Sequence, residues 1–128
     1  VIVADTSAIV AILWVEPEAD DYSRILLSAK SVLIAAPTRL ELAIVCRNRQ
    51  GPDGPDRADQ LLKNFRATTE PFDEQLFEIA QTAHARYGHG RYGLNFGDCF
   101  SYALAKARNA PLLFKGRDFS ATDVIPAI

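Results

Sequence analysis

Short apolar runs alternate with helix-length segments along the whole chain, and this alternation restricts the fold more than any other feature. VIVA (1–4), SVLIAAP (31–37), TTEPF (68–72) and LLF (112–114) have strand length, and the first two are rich in β-branched residues. Between and beside them lie six segments that read as helices: 7–15, 18–30, 38–50, 58–67, 73–88 and 96–109. In 18–30, Tyr22, Ile25, Leu26 and Ala29 form one stripe; in 73–88, Leu76, Phe77, Ala80 and Ala83 face inward. Pro17 closes the first helix, because the residue before a proline avoids the helical region. GPDGPD (51–56) reads as a turn cluster, GHGRYGLN (88–95) as irregular, KGRDFSATDV (115–124) as a loop, and VIPAI (124–128) as a last strand. The pattern predicts an α/β fold, a three-layer sandwich with a short parallel sheet of about five strands flanked by helices. No linker or repeat divides the 128 residues, so a single domain is expected over 1–128. Ligands of such sheets sit outside the carboxyl ends of the strands.

The net charge of −2 supplies no overall basic field for nucleic acid, so any such contact needs a local patch. No run approaches the roughly 20 apolar residues of a membrane span. The apolar start lacks a basic segment and contains Asp5, unlike a signal peptide. Cys46 and Cys99 show no metal or redox spacing and read as small buried hydrophobes. A cytoplasmic protein is expected.

Three carboxylates stand alone in apolar runs. Asp5 is the one charged residue in VIVADTSAIVAILWV, and Asp98 the one charge from Leu94 to Ala105. Glu41 lies in LELAIVC, where apolar residues at about 100° per residue cover every side of the helix, so that helix should be buried. Each acid has an ordinary reading as a helix cap. Asp5 fits an N-cap, Thr38 with Glu41 fits a capping box, and Asn95 with Asp98 has the same spacing. Pro37 at the first helical position would put Glu41 too deep for the box. The other reading takes the three together. Buried carboxylates need partners, and like charges that meet repel unless a cation bridges them. Ligands that are all oxygen select a hard ion, Mg²⁺ or Mn²⁺. Asp118, in a polar loop after LLF, is a fourth candidate.

VIVADTSAIVAIL, PTRLELAIV, NFGDCFSYALAKA and PLLFKGRDFSATDV together resemble the four signature blocks of the PIN domain, and more narrowly a VapC-type ribonuclease toxin of a type II toxin–antitoxin pair. The resemblance covers the whole chain in the family's order. It implies an endoribonuclease dependent on Mg²⁺ or Mn²⁺, usually dimeric, and held inactive by a cognate VapB-like antitoxin. It places the family's acids on Asp5, Glu41 and Asp98, with Thr6 or Ser7 as the hydroxyl residue after the first. The fourth block departs from the commoner pattern. Phe114 and Gly116 stand where many relatives have a hydroxyl residue and an acid, and Asp118 is the nearest substitute.

On this reading Asp5 and Asp98 ligate the ion. Glu41 ligates a second ion or activates the water that hydrolyses an RNA phosphodiester. Arg86, His89, Arg91, Lys115 and Arg117 are the candidate contacts for RNA phosphates. His84 reads as a surface residue, and Trp14 and Tyr22 as core or interface. The weakened fourth block keeps an alternative open, a PIN-like module that binds RNA or protein without effective catalysis. A receiver-like signalling domain fits poorly, because Thr6 and Ser7 replace the paired acid after the first strand. A phosphatase with an acid two residues after the first fails likewise at Ser7.

Overall fold

The computed structural model describes all residues, 1–128. Its elements run β1 (Ile2–Ala4), α1 (Thr6–Leu13), α2 (Ala19–Ser28), β2 (Val32–Ala35), α3 (Ala36–Gln50), α4 (Gly54–Asn64), β3 (Ala67–Glu70), α5 (Glu74–Tyr87), α6 (Phe96–Ala107) and β4 (Leu112–Leu113). The strands form one parallel sheet in the order β3-β2-β1-β4. β2 is buried at all four residues, and β1 and β4 at Val3, Ala4, Leu112 and Leu113. This is the burial expected of a parallel sheet covered on both faces. One apolar cluster joins the sheet to α5 and α6 through Leu76, Leu94, Tyr102 and Leu104. The other joins it to α1–α4 through Ile9, Leu26, Leu42, Cys46 and Leu62. The strand–helix order thus follows the sequence reading closely.

The expected fifth strand is reduced to one parallel bridge between Leu112 and Pro126. Leu112 N–H donates to Ile125 O at 2.8 Å and Ala127 N–H to Leu112 O at 2.9 Å. Pro126 has no N–H of its own to continue a ladder. The segment is fastened by side chains instead: Tyr102 donates its hydroxyl to Asp123, and Lys106 pairs with Asp123 at 3.0 Å. These two donors hold the Asp123 carboxyl below its ordinary range.

Three other expectations are corrected. The helix read as starting at residue 58 starts at Gly54 and absorbs half of the turn cluster, because Pro55 suits a first helical turn. Phe77 does not face inward; it is 53% exposed. Nor is α3 buried all round: Leu40 is 62% and Ile44 45% exposed. Glu41 therefore lies on the border between the core and an open apolar face, and is half-buried rather than enclosed.

Gly54 lies tight against α3 at the start of α4. A β-carbon added there would fall inside contact distance of the Cys46 carbonyl oxygen, a backbone atom that cannot swing away. We expect Gly54→Ala to destabilise the protein by roughly 1–3 kcal/mol, despite alanine's better helix propensity, as a lower midpoint in urea unfolding; an unchanged midpoint would show that the two helices separate freely.

Candidate active site

β1 is the point where the strand order reverses. The chain moves from β1 to β2 to β3 on one side and returns to place β4 on the other. The crevice beyond the carboxyl ends of β1 and β4 is therefore the expected ligand position. Asp5 follows β1 directly, α3 begins directly after β2, and Asp118 lies in the loop after β4. α6 leads into β4, so its first turn, with Asp98, lies at this same edge.

Asp5 is 5% exposed and caps α1. Ser7 donates to its Oδ2 twice, from the backbone N–H at 3.1 Å and from Oγ at 2.7 Å. Ser101 Oγ, from the middle of α6, donates to Oδ1 at 2.5 Å. Ser7 Oγ in turn accepts the Lys115 backbone N–H at 3.0 Å, which ties the exit of β4 to the same carboxylate. Three donors satisfy a buried acid that no basic side chain touches.

Glu41 is not a capping residue. α3 starts at Ala36 with Pro37 in its first turn and has no side-chain cap, so the proline excludes the Thr38 box as the sequence implies. Instead Thr6 Oγ1 donates to Glu41 Oε1 at 2.6 Å, with the Thr38 carbonyl 3.3 Å away. The other oxygen, Oε2, lies against Gly97. A β-carbon at position 97 would overlap it. Arg39, its sequence neighbour, is turned away onto Thr69 at 2.6 Å and Asp59 at 3.1 Å.

Asp98 forms a complete capping box. Its N–H donates to Asn95 Oδ1 at 2.9 Å, and its Oδ2 accepts the Asn95 N–H at 3.0 Å. Capping thus accounts for part of the role of Asp5 and of Asp98. It does not account for their electrostatics. Burial and the charges of Asp5, Asp118 and Glu41 push the Asp98 carboxyl up to about 7, against the lowering effect of the Asn95 hydrogen bond. The other three acids named from the sequence therefore lie close enough for their charges to bear on Asp98.

No three acidic, histidine or cysteine side chains converge tightly enough to enclose an ion alone. A hard ion that uses one or two protein carboxylates and retains waters does not require such a cage. The donor set fits it: oxygen ligands only, of one charge sign, with Asp98 Oδ1 and Glu41 Oε2 without a hydrogen-bond partner. Thr38 and Ser101, both fully buried and 3.4 Å apart through their hydroxyls, complete a polar chain from Glu41 to Asp5. The sequence reading did not single out either for this role. Their one signal was a small hydroxyl residue on the helix face that carries a lone acid.

The basic candidates divide. Lys115 pairs its ammonium with Glu16 and with Glu18, the latter at 3.2 Å, and is not free for phosphate. His89 turns its ring onto the Ala85 carbonyl at 3.0 Å. Arg86 covers the Tyr87 ring, in a hollow shared with Tyr102 and Lys106. Arg91 and Arg117 instead converge on Tyr92, and Arg117 immediately precedes Asp118.

Residues 2–125 match the PIN domain family. A protein named Ribonuclease VapC from Mycolicibacterium smegmatis is 43% identical over 124 residues, spanning 95% of this chain and 96% of that one. The chain belongs to the VapC ribonucleases of the PIN domain family. Among solved structures, this PIN domain is similar to Mycobacterium tuberculosis VapC20, titled a sarcin–ricin loop cleaving toxin, with a TM-score of 0.78 at 20% identity over 98% of this chain and 97% of that one. It is also similar to VapBC2 from Rickettsia felis, solved bound to a DNA fragment from their promoter, with a TM-score of 0.75 at 16% identity over 98% and 95%. At these identities the likeness speaks for the PIN fold alone. No helix of this PIN domain is long and apolar enough to cross a membrane.

An acid whose pKa is higher in the folded chain than in the unfolded one takes up a proton on folding between the two values. Its contribution therefore lowers stability above about pH 7, and stability is recovered as pH falls through 7 toward the ordinary value of 3.8. In chelator, the wild type should gain thermal stability between pH 8 and pH 6 relative to Asp98→Asn, whose amide does not titrate. Parallel pH profiles for the two proteins would remove Asp98 as the strained acid.

Proposed function

We propose that this chain is the toxin component of a type II toxin–antitoxin pair, an endoribonuclease that hydrolyses RNA phosphodiesters at the Asp5, Glu41, Asp98 and Asp118 edge. The burial of Asp98 among other acids carries the reading: burial first, and then the charges of Asp5, Asp118 and Glu41, disfavour its carboxylate, and a bound cation would offset both. Divalent-metal dependence is general among VapC ribonucleases of the PIN domain family, and the all-oxygen donor set favours Mg²⁺ or Mn²⁺. A single domain spanning 1–128 is taken as the working unit of the fold.

Asp5 and Asp98 would hold the ion, through oxygens whose orientation Ser7, Ser101 and Asn95 fix. The ion, when bound, polarises the phosphoryl oxygen and offsets the charge that develops there. Glu41, oriented by Thr6, aligns and deprotonates the attacking water through Oε2. Asp118 supports the rim as an outer acid, in place of the one absent at Gly116. Arg91 and Arg117 counter the repulsion between RNA phosphates and the acids. A cognate VapB-like antitoxin is the inhibitory partner, consistent with similar folds solved as toxin–antitoxin complexes. Leu40, Ile44, Phe77 and Phe96 leave an open apolar face around Phe100, which supports pairing with a second copy of the chain. The alternative of a binding module without catalysis loses ground to relatives named ribonucleases that match over nearly the whole chain.

Asp5→Asn, Glu41→Gln and Asp98→Asn should each lower Mg²⁺-dependent cleavage of bacterial RNA by at least about 100-fold while retaining a native circular dichroism spectrum. Cleavage persisting in all three would exclude this edge as the active site. Gly97→Ala should keep the fold, since the group it meets is the flexible end of Glu41, but lower cleavage by about tenfold or more. Full activity in Gly97→Ala would mean that the Oε2 position is not needed.

A further inference from the structure

Tyr92 lies in the loop between α5 and α6, three residues before the Asn95 that caps Asp98. Its ring is 40% exposed. The guanidinium carbons of Arg91 and Arg117 lie 5.4 and 5.5 Å from its centroid. Arg117 immediately precedes Asp118, so the two chain segments that frame the acids also meet over this ring. The loop is anchored at both sides of it. Leu94 is buried and donates its N–H to Tyr87 O at 3.0 Å, and Gly93 donates to Gly90 O at 3.3 Å.

A cation on an exposed ring stabilises by only about 0.5–1 kcal/mol, too little to explain why an exposed aromatic side chain has two arginines gathered at it. The placement has a second use. The chain has a net charge of −2 and an acidic centre, both of which repel a polyanion, so cations are needed close to the cut. Lys115 and His89 are engaged elsewhere, and Arg86 lines the hollow of Tyr87, Tyr102 and Lys106 instead. Unpaired RNA bases are held by stacking on aromatic rings and guanidinium planes. We propose that Tyr92 is the platform on which an unpaired base beside the scissile phosphodiester stacks, with Arg91 and Arg117 holding the flanking phosphates. This rests on the ribonuclease reading above.

Total bacterial RNA incubated with the purified chain and Mg²⁺ locates a cut, and a short RNA spanning that cut serves as substrate. Each nucleotide around the cut is replaced in turn by an abasic one. Tyr92→Ala should raise KM by about tenfold with little change in kcat, and Tyr92→Phe should retain the wild-type KM. One abasic position should raise the wild-type KM by a similar factor and add no further loss in Tyr92→Ala. That lack of addition separates stacking from a merely altered loop. A wild-type KM in Tyr92→Ala, or an equal abasic penalty in both proteins, would overturn the platform and leave the ribonuclease reading standing. Absence of any cleavage by the wild type would overturn both.

Discussion

The carboxylate of Asp5 is where the architecture is joined. It is buried just past the central strand, and each of its oxygens is held by a different helix: Oδ2 by Ser7 of α1, Oδ1 by Ser101 of α6. Through Ser7 it also reaches the backbone after β4. A buried charge without such donors would cost several kcal/mol. With them it becomes a fixed point from which α1, α6 and the β4 exit are measured. The positions of the other acids follow from the direction of their helices relative to that point.

The same arrangement sets stability against activity. Parallel strands and the connections between them bring the start of α1, the first turns of α3 and α6 and the loop after β4 to one edge. Acids at those places find backbone donors easily, and this explains how Asp5 and Asp98 act as caps. Burial and the nearby acids then disfavour the charged form of Asp98 by more than its cap offsets. Local distortion of this kind is typical of functional sites, and the apolar clusters on both faces of the sheet supply the stability to hold it.

Much of this was legible in the sequence. A single acid in a long apolar run is a strong local signal, and Asp5, Glu41 and Asp118 all lie near enough for their charges to bear on Asp98. The strand–helix order also came through, because each element carries its own periodicity. What failed was information that is not local. Ser101 contacts a residue 96 positions away, and nothing about a serine in a helix announces that. Leu40, Ile44 and Phe77 read as core because apolarity alone does not distinguish a core from an open face. Lys115 sits beside the acids in sequence, yet Glu16 and Glu18 capture it. Pro126 shortened the last strand for a local reason, its missing N–H, which was visible from the start.

The Asn95–Asp98 box has a consequence for how a cation would be met. Reciprocal bonds to the Asn95 backbone and side chain fix the rotamer of Asp98 and occupy Oδ2. Only Oδ1 is left without a hydrogen-bond partner. The side-chain freedom that an unrestrained aspartate would lose on ligation has already been lost on folding. Whatever approaches this carboxylate from solvent therefore meets a stationary target, held still by a helix end, and spends little of its binding energy on ordering the side chain.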